Sequence, residues 1–317
     1  MKHLYIILLI LPLIGFGQGW EQTFSIDPIY GFINGSQDTG YSVQQTSDGG
    51  YIICGSSIED LSDWDIIDPF PLSRIHLIKT DLNGEQEWLE LYNIVNTQNQ
   101  GYSVQQTVDG GYIICGTSRS LLNNNGDDVY LLKVDSNGSI LWEQNFGGTG
   151  DQEGRSVQQT TDGGYIIVGH NESNNTESWD VWVIKIDENG NQQWNQIIQG
   201  EGESQDKGFD IKQTLDNGYI ITGYSWVSID SYEDILLVKI NENGQEEWRQ
   251  NFGGEGLDHG YSVQQTTDLG YIICGRIQTY GDQDIYLIKT DQNGQEEWSQ
   301  NFGGEDLYYG CGYSVQQ

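Results

Sequence analysis

Hydrophobic and polar residues alternate along this chain in short runs that return at a nearly constant interval. The clearest example is the segment 260–275, which reads Gly-Tyr-Ser-Val-Gln-Gln-Thr-Thr-Asp-Leu-Gly-Tyr-Ile-Ile-Cys-Gly. Related copies begin at Gly40, Gly101, Gly154 and Gly208, and a last copy begins at Gly312. Successive copies start 52 to 54 residues apart, except for a first interval of 61 residues. A period of this length indicates a tandem repeat of one supersecondary unit.

Each unit contains four runs with the alternation and the β-branched or aromatic residues that are typical of strands. In the fifth unit these runs, named A to D, are Tyr271–Cys274, Ile285–Thr290, Glu296–Phe302 and Tyr313–Gln317. Strands B and C are joined by Asp-x-Asn-Gly or a close variant, and strands D and A by Thr-x-Asp-x-Gly. The Asn-Gly pair and the last glycine of the second sequence are expected to supply the backbone conformations of tight turns.

The other two connections differ between units. The A-to-B connection holds 19 residues between Gly55 and Ile75 but only nine between Gly275 and Ile285. In an up-and-down four-stranded sheet, the A-to-B and C-to-D connections lie at one edge and the uniform turns at the other. Binding sites are usually built from variable loops on a rigid scaffold. We therefore expect recognition at the variable edge.

A four-stranded antiparallel unit repeated in tandem predicts an all-β fold, namely a β-propeller of four-stranded blades. The sequence holds five full units and a partial terminal blade, since Trp20–Phe24 copies Trp142–Phe146 and enters as a strand C. We therefore expect the chain to be truncated, with the matching strands A and B beyond Gln317. A recurring tryptophan of strand C is expected to pack between adjacent blades; it is Trp88, Trp142, Trp194, Trp248 and Trp298.

A lysine recurs in strand B, two residues before the B-to-C turn. That spacing suggests that it pairs with the carboxylate of this turn or with a neighbouring blade. The five lysines are Lys79, Lys133, Lys185, Lys239 and Lys289.

Residues 1–18 have the features of a signal peptide, with a basic start, an apolar run and small residues before Gln18. Residues 19–317 then form the repeat domain, which we expect to be secreted or held at the cell surface as a monomer without a membrane span. Thirteen basic and 47 acidic residues give a net charge of −34, which argues against nucleic acid as a partner. Cys54, Cys115 and Cys274 share one slot of the repeat, which predicts small buried side chains rather than a disulfide framework.

The repeated sequences Asp-Gly-Gly-Tyr-Ile-Ile-x-Gly, Asp-x-x-Leu-Ile-Lys-x-Asp-x-Asn-Gly and Phe-Gly-Gly resemble those of the secreted repeat β-propellers of Bacteroidetes-type bacteria, over residues 20–317. The resemblance implies quinoprotein-like propeller strands and, often, a C-terminal type IX secretion sorting domain, which is not seen in this sequence. Some relatives carry hydrolase or endoglucanase labels, so the resemblance supports no single activity.

Residues that recur in every unit are explained by building the unit, so a functional site is expected among the departures from the repeat. His76, His170, His259 and Arg276 are such departures, and we interpret the histidines as surface or edge residues. No cofactor is predicted. Calcium is an open alternative, because Asp63-x-Asp65, Asp127-Asp128 and Asp282-x-Asp284 could help to coordinate it.

Aromatic side chains in the variable connections suggest stacking on sugar rings or packing against a protein. The candidate ligand-binding residues are Trp64, Phe70, Trp179, Trp226, Tyr232 and Tyr280. We therefore predict a non-enzymatic propeller that binds an extracellular glycan or protein. The alternatives are a polysaccharide hydrolase that uses acids such as Glu59, Asp63 or Asp65, and a structural display module for a missing C-terminal domain.

Overall fold

The structure, a computed structural model, describes residues 37–58, 73–92, 97–121, 126–173, 178–200, 205–226, 232–279, 282–303 and 310–316. These residues form twenty β-strands. None of them belongs to a helix long and apolar enough to cross a lipid bilayer. The chain divides into two compact units, each larger than one repeat of the sequence. From here on, unit 1 is Met1–Asn145 and unit 2 is Phe146–Gln317.

Unit 1 contains two four-stranded antiparallel sheets. The first sheet consists of β1 (Gln37–Gln45), β2 (Tyr51–Ile58), β3 (Ser73–Thr80) and β4 (Gln86–Tyr92). The second consists of β5 (Thr97–Gln106), β6 (Tyr112–Ser120), β7 (Asp127–Val134) and β8 (Ile140–Phe146).

Unit 2 contains three more four-stranded antiparallel sheets. The third sheet consists of β9 (Gln152–Gln159), β10 (Tyr165–Ser173), β11 (Ser178–Ile186) and β12 (Gln192–Ile198). The fourth consists of β13 (Asp206–Gln213), β14 (Tyr219–Trp226), β15 (Glu233–Ile240) and β16 (Glu246–Phe252). The fifth consists of β17 (His259–Gln265), β18 (Tyr271–Thr279), β19 (Asp282–Thr290) and β20 (Glu296–Phe302).

The strands of every sheet lie in chain order and correspond to D, A, B and C, so strand D opens a sheet. The predicted all-β architecture of four-stranded antiparallel blades is confirmed, and both uniform turns lie at the same edge of each sheet. Most residues of the A-to-B connections, and the Trp20–Phe24 run, lie outside the described residues. The prediction of a strand at Tyr313–Gln317 is wrong for residues 313–316, which are irregular.

Consecutive sheets within a unit pack face to face through apolar side chains. In unit 1 a buried cluster joins the first and second sheets and includes Ile52, Leu77 and Ile114. The predicted role of the strand C tryptophan is confirmed at this interface, where the Trp88 ring lies 5.9 Å from the Tyr112 ring of the next sheet. The corresponding Trp–Tyr pairs of unit 2 are Trp194 with Tyr219 at 6.1 Å and Trp248 with Tyr271 at 5.7 Å.

The cysteine slot lies in the same interfaces. Cys54 is fully buried, and a Cβ added to Gly101 of the next sheet would lie 2.6 Å from its Sγ atom. In unit 2, Val168 occupies this slot and stands in the same relation to Gly208, at 2.5 Å. None of the four cysteines, which all belong to the described residues, forms a disulfide. The slot therefore holds small side chains, because the backbone of the next sheet approaches it closely at a glycine of strand D.

The D-to-A turn differs from its prediction. The left-handed backbone angle belongs to the residue before the last glycine, for example Gly110 at φ 83° and Leu269 at φ 71°. The last glycine is needed for space instead, since a Cβ on Gly111 would overlap the carbonyl oxygen of Val134 and lie 2.6 Å from the Lys133 ammonium. The turn aspartate accepts a hydrogen bond from the backbone N–H of this glycine, as Asp109 does from Gly111 at 3.0 Å.

The recurring lysine of strand B pairs with the aspartate of the D-to-A turn, not with that of the B-to-C turn. Lys133 Nζ lies 3.0 Å from Asp109 Oδ2, and equivalent ion pairs of 2.9 to 3.0 Å occur in the other sheets. The prediction failed because strand B neighbours strand A, so its lysine extends across to the turn that precedes strand A. Removing the aspartate would leave a buried ammonium without its charged partner, so the pair is needed once the lysine is buried at the uniform edge.

The recurring Ser-x-Gln-Gln sequence of strand D links consecutive sheets. Ser47 N donates to Gln106 Oε1 at 2.7 Å, and Gln106 N donates to Gln44 Oε1 at 2.6 Å. In unit 2, Asp210 replaces the serine, accepting hydrogen bonds from Ser156 Oγ at 2.9 Å and from Val263 N at 3.1 Å. These polar residues are therefore structural.

Candidate functional site

The sheets depart from the repeat at three positions beside the paired glycines of strands D and A. In unit 1 these positions hold Thr39, Tyr41 and Ser56, or Gln100, Tyr102 and Thr117. In unit 2 the first and third positions hold larger or charged side chains, and the second holds arginine, phenylalanine or again tyrosine. The residues are Glu153, Arg155 and His170 in the third sheet, Lys207, Phe209 and Tyr224 in the fourth, and His259, Tyr261 and Arg276 in the fifth. We call these nine residues of unit 2, with Trp179, Glu233 and Tyr313, the variable-edge cluster.

A β-bulge in strand D positions one member of each set. The register of β13 with β14 passes from Gly208 to Asp210, which leaves Phe209 unpaired, and the same shift in β17 leaves Tyr261 unpaired. A bulge bends the strand and redirects the extra side chain. The glycine opposite is required for space, because a Cβ on Gly223 would overlap the carbonyl oxygen of Lys207.

One part of the cluster is ionic. Arg155 forms an ion pair with Glu153, and His170 Nε2 lies 3.4 Å from Glu153 Oε2. The His170 ring is fully buried and meets the Trp179 ring edge to face, with centroids 4.9 Å apart. On the Trp179 ring lies the Lys207 ammonium, 4.2 Å from its centroid. The indole therefore lies between a buried imidazole and a cation.

The other part is aromatic. Tyr224 stacks on His259 with centroids 4.4 Å apart and planes 17° apart. Phe209 stacks on Tyr261 at 5.5 Å, and Tyr261 contacts Tyr313 at 5.0 Å. Phe209, Tyr261 and Tyr313 occupy the same repeat position in three successive copies, so the bulges bring equivalent side chains together. The result is a continuous group of rings at the variable edge of unit 2.

Polar groups surround these rings. His259 Nε2 is hydrogen bonded to Glu233 and lies 3.4 Å from Arg276 Nη2, and its Nδ1 lies 3.3 Å from the Tyr261 hydroxyl. Arg276 Nη1 donates to Gln283 Oε1 at 3.4 Å. A carboxylate, an imidazole and a phenol are thus connected in sequence, an arrangement that can hold or transfer a proton.

Burial and charge shift several pKa values in the ionic part. Burial alone would raise the pKa of Glu153, but the His170 ring and the cations Arg155 and Lys207 outweigh it and lower that pKa to about 2. Burial lowers the pKa of His170 to about 4, so the ring is neutral at neutral pH. Burial also lowers the pKa of Lys207, although the charges of Glu153 and Glu233 oppose the shift. Glu153 is therefore firmly ionised.

The six predicted ligand-binding residues are only partly brought together. Trp179 belongs to the variable-edge cluster. Trp226, half-buried, ends β14 and pairs in register with Glu233, and Tyr232 is 53% exposed just before β15. Trp64, Phe70 and Tyr280 lie outside the described residues. The acids of the hydrolase alternative, Glu59, Asp63 and Asp65, also lie outside them.

The interpretation of the histidines as surface or edge residues is wrong for His76, which is buried inside strand β3, and His170 lies at the variable edge but is not at the surface. His76 and His170 are both fully buried, and His259 is 9% exposed. Their neighbours Glu153, Lys207 and Phe209 were missed, because each is unremarkable alone. Aligning the repeats on their glycines would have found them, since the columns beside the glycines are those that change in unit 2.

Among the described residues, no three His, Cys, Asp or Glu side chains are arranged to hold an ion. Of the acids considered for calcium, Asp127 forms an ion pair with Arg119, and Asp63 and Asp65 lie outside the described residues. Calcium therefore stays an untested expectation.

Comparison with known proteins relates the fold to solved structures. No protein-family model matches the sequence, and no curated protein is significantly similar to it. A polysaccharide lyase, the PL25 ulvan lyase solved bound to a GlcA(1-4)Rha3S saccharide, has a similar structure with a TM-score of 0.55 at 12% identity. The similarity covers 84% of this chain and 70% of the lyase.

Two further structures are more distant. Sqt1 from Chaetomium thermophilum has a TM-score of 0.45 at 10% identity, covering 84% of this chain and 73% of that one. The β-1,2-mannobiose phosphorylase from Listeria innocua has a TM-score of 0.44 at 13% identity, covering 86% of this chain and 91% of that one. At these identities the comparisons bear on the fold alone. The five four-stranded antiparallel sheets and the similarity to the ulvan lyase identify the chain as an all-β protein of the β-propeller class.

Proposed function

We propose that this protein acts outside the cell or at its surface, where it binds a glycan at the variable-edge cluster of unit 2. The observation that carries the proposal is the concentration of rings and polar groups at one edge, where the repeat changes, while the opposite edge stays uniform. A sugar ring offers C–H faces that pack on aromatic side chains and hydroxyls that need hydrogen-bond partners. The ring group of Phe209, Tyr261 and Tyr313 and the polar atoms around it offer both.

The cluster is not needed to build a sheet. In the second sheet Gln100 and Thr117 occupy the positions of Lys207 and Tyr224, and the same bulge and glycine pairing form there. The substitutions in unit 2 bring charge and aromatic area without changing the backbone. Binding therefore explains them better than construction of the fold.

A second candidate is an enzyme that cleaves a polysaccharide bound at the same place. The hydrogen-bonded sequence of Glu233, His259 and the Tyr261 hydroxyl favours it, because a carboxylate that orients an imidazole is a common acid–base device. Binding alone does not require that arrangement. The same proteins and ligands therefore have to be tested for turnover.

The test uses the purified chain on a glycan array, followed by titration of the best ligand. Phe209→Ala removes a central ring, and we expect binding about tenfold weaker, from about 1.5 kcal/mol of lost ring contact. The matched control is Tyr41→Ala, which removes the ring at the equivalent position of unit 1. Thermal unfolding of both variants checks that they are folded.

The outcomes separate the candidates. Unchanged binding by Phe209→Ala, or equal loss in Tyr41→Ala, contradicts the proposed site. New reducing ends or new ultraviolet absorbance from cleaved polysaccharide, lost in His259→Gln, would establish the enzyme instead. An array without any glycan bound above background contradicts glycan binding altogether.

A further inference from the structure

We propose that the glycan bound at the variable-edge cluster is acidic, and that Lys207 and Arg276 hold its anionic groups, carboxylate or sulfate. This inference rests on the proposed function and adds the chemical class of the ligand. It follows from how the positive and negative side chains of unit 2 are paired.

Lys207 differs from the recurring lysines of the fold. Each of those five lysines lies within 2.9 to 3.0 Å of a turn aspartate oxygen. Lys207 forms no such ion pair with any described residue, and its ammonium instead lies over the Trp179 ring at 4.2 Å. It is half-buried, so part of its hydration has been lost, and no carboxylate of the described residues is in direct contact to replace it. An arriving anion would supply the missing partner.

Arg276 is in a similar state. Its two described side-chain contacts, with Gln283 Oε1 and with the ring of His259, are both 3.4 Å long, and neither partner is a carboxylate. Its Nε is buried without a hydrogen-bond partner among the described residues. A guanidinium has five N–H donors in a planar fork that fits the oxygens of a carboxylate or sulfate. The Nη donors, whose present contacts are long, and not the buried Nε, are therefore the ones that a ligand could engage.

The nearby carboxylates do not neutralise these two cations by direct contact. Glu153 is held by Arg155, and Glu233 is held by His259. Asp258, which is fully buried, accepts hydrogen bonds from the backbone N–H groups of Gln278 at 2.7 Å and Gly254 at 2.9 Å. These negative groups thus have close partners already, whereas neither Lys207 nor Arg276 is in direct contact with a carboxylate of the described residues.

The composition of the chain gives this arrangement more weight. There are only thirteen basic residues against 47 acidic ones, and five of the thirteen are the recurring lysines. Two of the others, Lys207 and Arg276, belong to one cluster beside the ring group. In a strongly acidic protein, unpaired cations next to aromatic faces are the means by which an anionic sugar can be attracted locally despite the overall charge.

The experiment compares ligands that differ in charge alone. One pair is an oligogalacturonate and its fully methyl-esterified form, and the other is dextran sulfate and dextran of the same length. Isothermal titration calorimetry measures binding to the full chain. We expect one charged member or both to bind, and the uncharged partner to bind at least about tenfold more weakly, as for the loss of a hydrogen bond to a charged group. The pair that responds identifies carboxylate or sulfate as the source.

Variants locate the effect. Lys207→Gln and Arg276→Gln should each weaken binding of the charged probe about tenfold or more and leave the uncharged probe unchanged. Lys207→Arg, which keeps the charge, should retain most of the affinity. Arg249→Gln is the matched control, because it removes one positive charge from an exposed ion pair with Glu246 on β16.

Several results would overturn the inference. If charged and uncharged probes bind alike and Phe209→Ala weakens both, the glycan site stands and its acidic specificity fails. If Arg249→Gln reduces binding as much as the cluster variants do, the attraction is general and not local. If none of the four probes binds, the inference is wrong for these acid types, whereas the proposed function is judged separately by the glycan array.

Discussion

Two neighbouring glycines of the D-to-A turn, Gly110 and Gly111, are needed for different physical reasons, the first for its backbone angle and the second for space. Substituting each of them by alanine tests the two reasons separately. Gly110 has φ 83°, and a Cβ placed on it would meet nothing within 4 Å. Gly111 is not among the residues with positive φ, but its Cβ would overlap the carbonyl oxygen of Val134 and lie 2.6 Å from the Lys133 ammonium. Alanine at Gly110 is therefore strained but fits, whereas alanine at Gly111 does not fit.

The magnitudes follow from these environments. For Gly110→Ala we expect a loss of about 1 to 2 kcal/mol in the free energy of unfolding, the cost of a left-handed conformation for a residue with a Cβ. Gly110→Asn should cost less than about 1 kcal/mol, because asparagine tolerates this region and Asn217 occupies the equivalent position at φ 66°. Gly111→Ala should cost about 3 kcal/mol or more, because the strand must shift and the buried Lys133 must leave Asp109.

Urea unfolding followed by tryptophan fluorescence and by circular dichroism measures the three variants against the parent protein. The loss in the free energy of unfolding should increase from Gly110→Asn to Gly110→Ala to Gly111→Ala, and the dependence of that free energy on urea concentration should be unchanged. Equal costs for the two alanine variants would refute this order, because strain and overlap would then be indistinguishable. An asparagine variant as unstable as the alanine variant would refute the conformational part alone.

Other predictions use the same kind of internal comparison. Burial lowers the pKa of His76 to about 4 from its ordinary value near 6.5, so the unfolded chain takes up a proton first and stability falls as pH decreases from about 6.5 to 4. Melting temperatures over this range should therefore depend less on pH in His76→Gln, and an unchanged pH dependence would contradict the lowered pKa of His76. Gly208→Ala should destabilise unit 2 by about 2 kcal/mol in urea unfolding, because the new Cβ meets Val168. The double variant with Val168→Ala should recover part of this loss, and no recovery would mean that the two sites are not in contact. Trp194→Ala should lower the free energy of unfolding by about 3 kcal/mol, as measured by thermal unfolding. Trp298→Ala should lower it clearly less, because that side chain is 46% exposed. Equal losses would argue against packing between sheets as the role of this tryptophan.

Much of the fold could be predicted from the sequence, because its features are periodic. Alternation and recurring turns located the four strands of each unit, and the lengths of the connections separated a uniform edge from a variable one. The partner of the recurring lysine was not predictable by spacing alone. Lys133 is only two residues from the B-to-C turn, yet the order of the strands places its ammonium beside Asp109, which belongs to the other turn.

The candidate site was harder to predict for a physical reason. Phe209 and Tyr261 sit in bulges, where an unpaired residue breaks the two-residue period that shows which face a side chain occupies. His170 was expected near the surface because it comes at the end of strand A, next to a variable connection. In the structure its ring contacts the Trp179 ring and is fully buried. Contacts of this kind depend on how one sheet lies on the next, and a linear pattern does not contain that information.

The contacts between the third, fourth and fifth sheets also bear on how such a chain can change in length. The fourth sheet receives Trp194 of the third beside its own Tyr219 and Gly244, and it offers Trp248 to Tyr271 and Gly294 of the fifth. Each copy thus carries both halves of one standard joint. Removing or duplicating a whole copy by recombination would rejoin matching halves, so the number of copies can evolve without redesign of any joint, while each new copy brings its own three positions for altering what the edge binds.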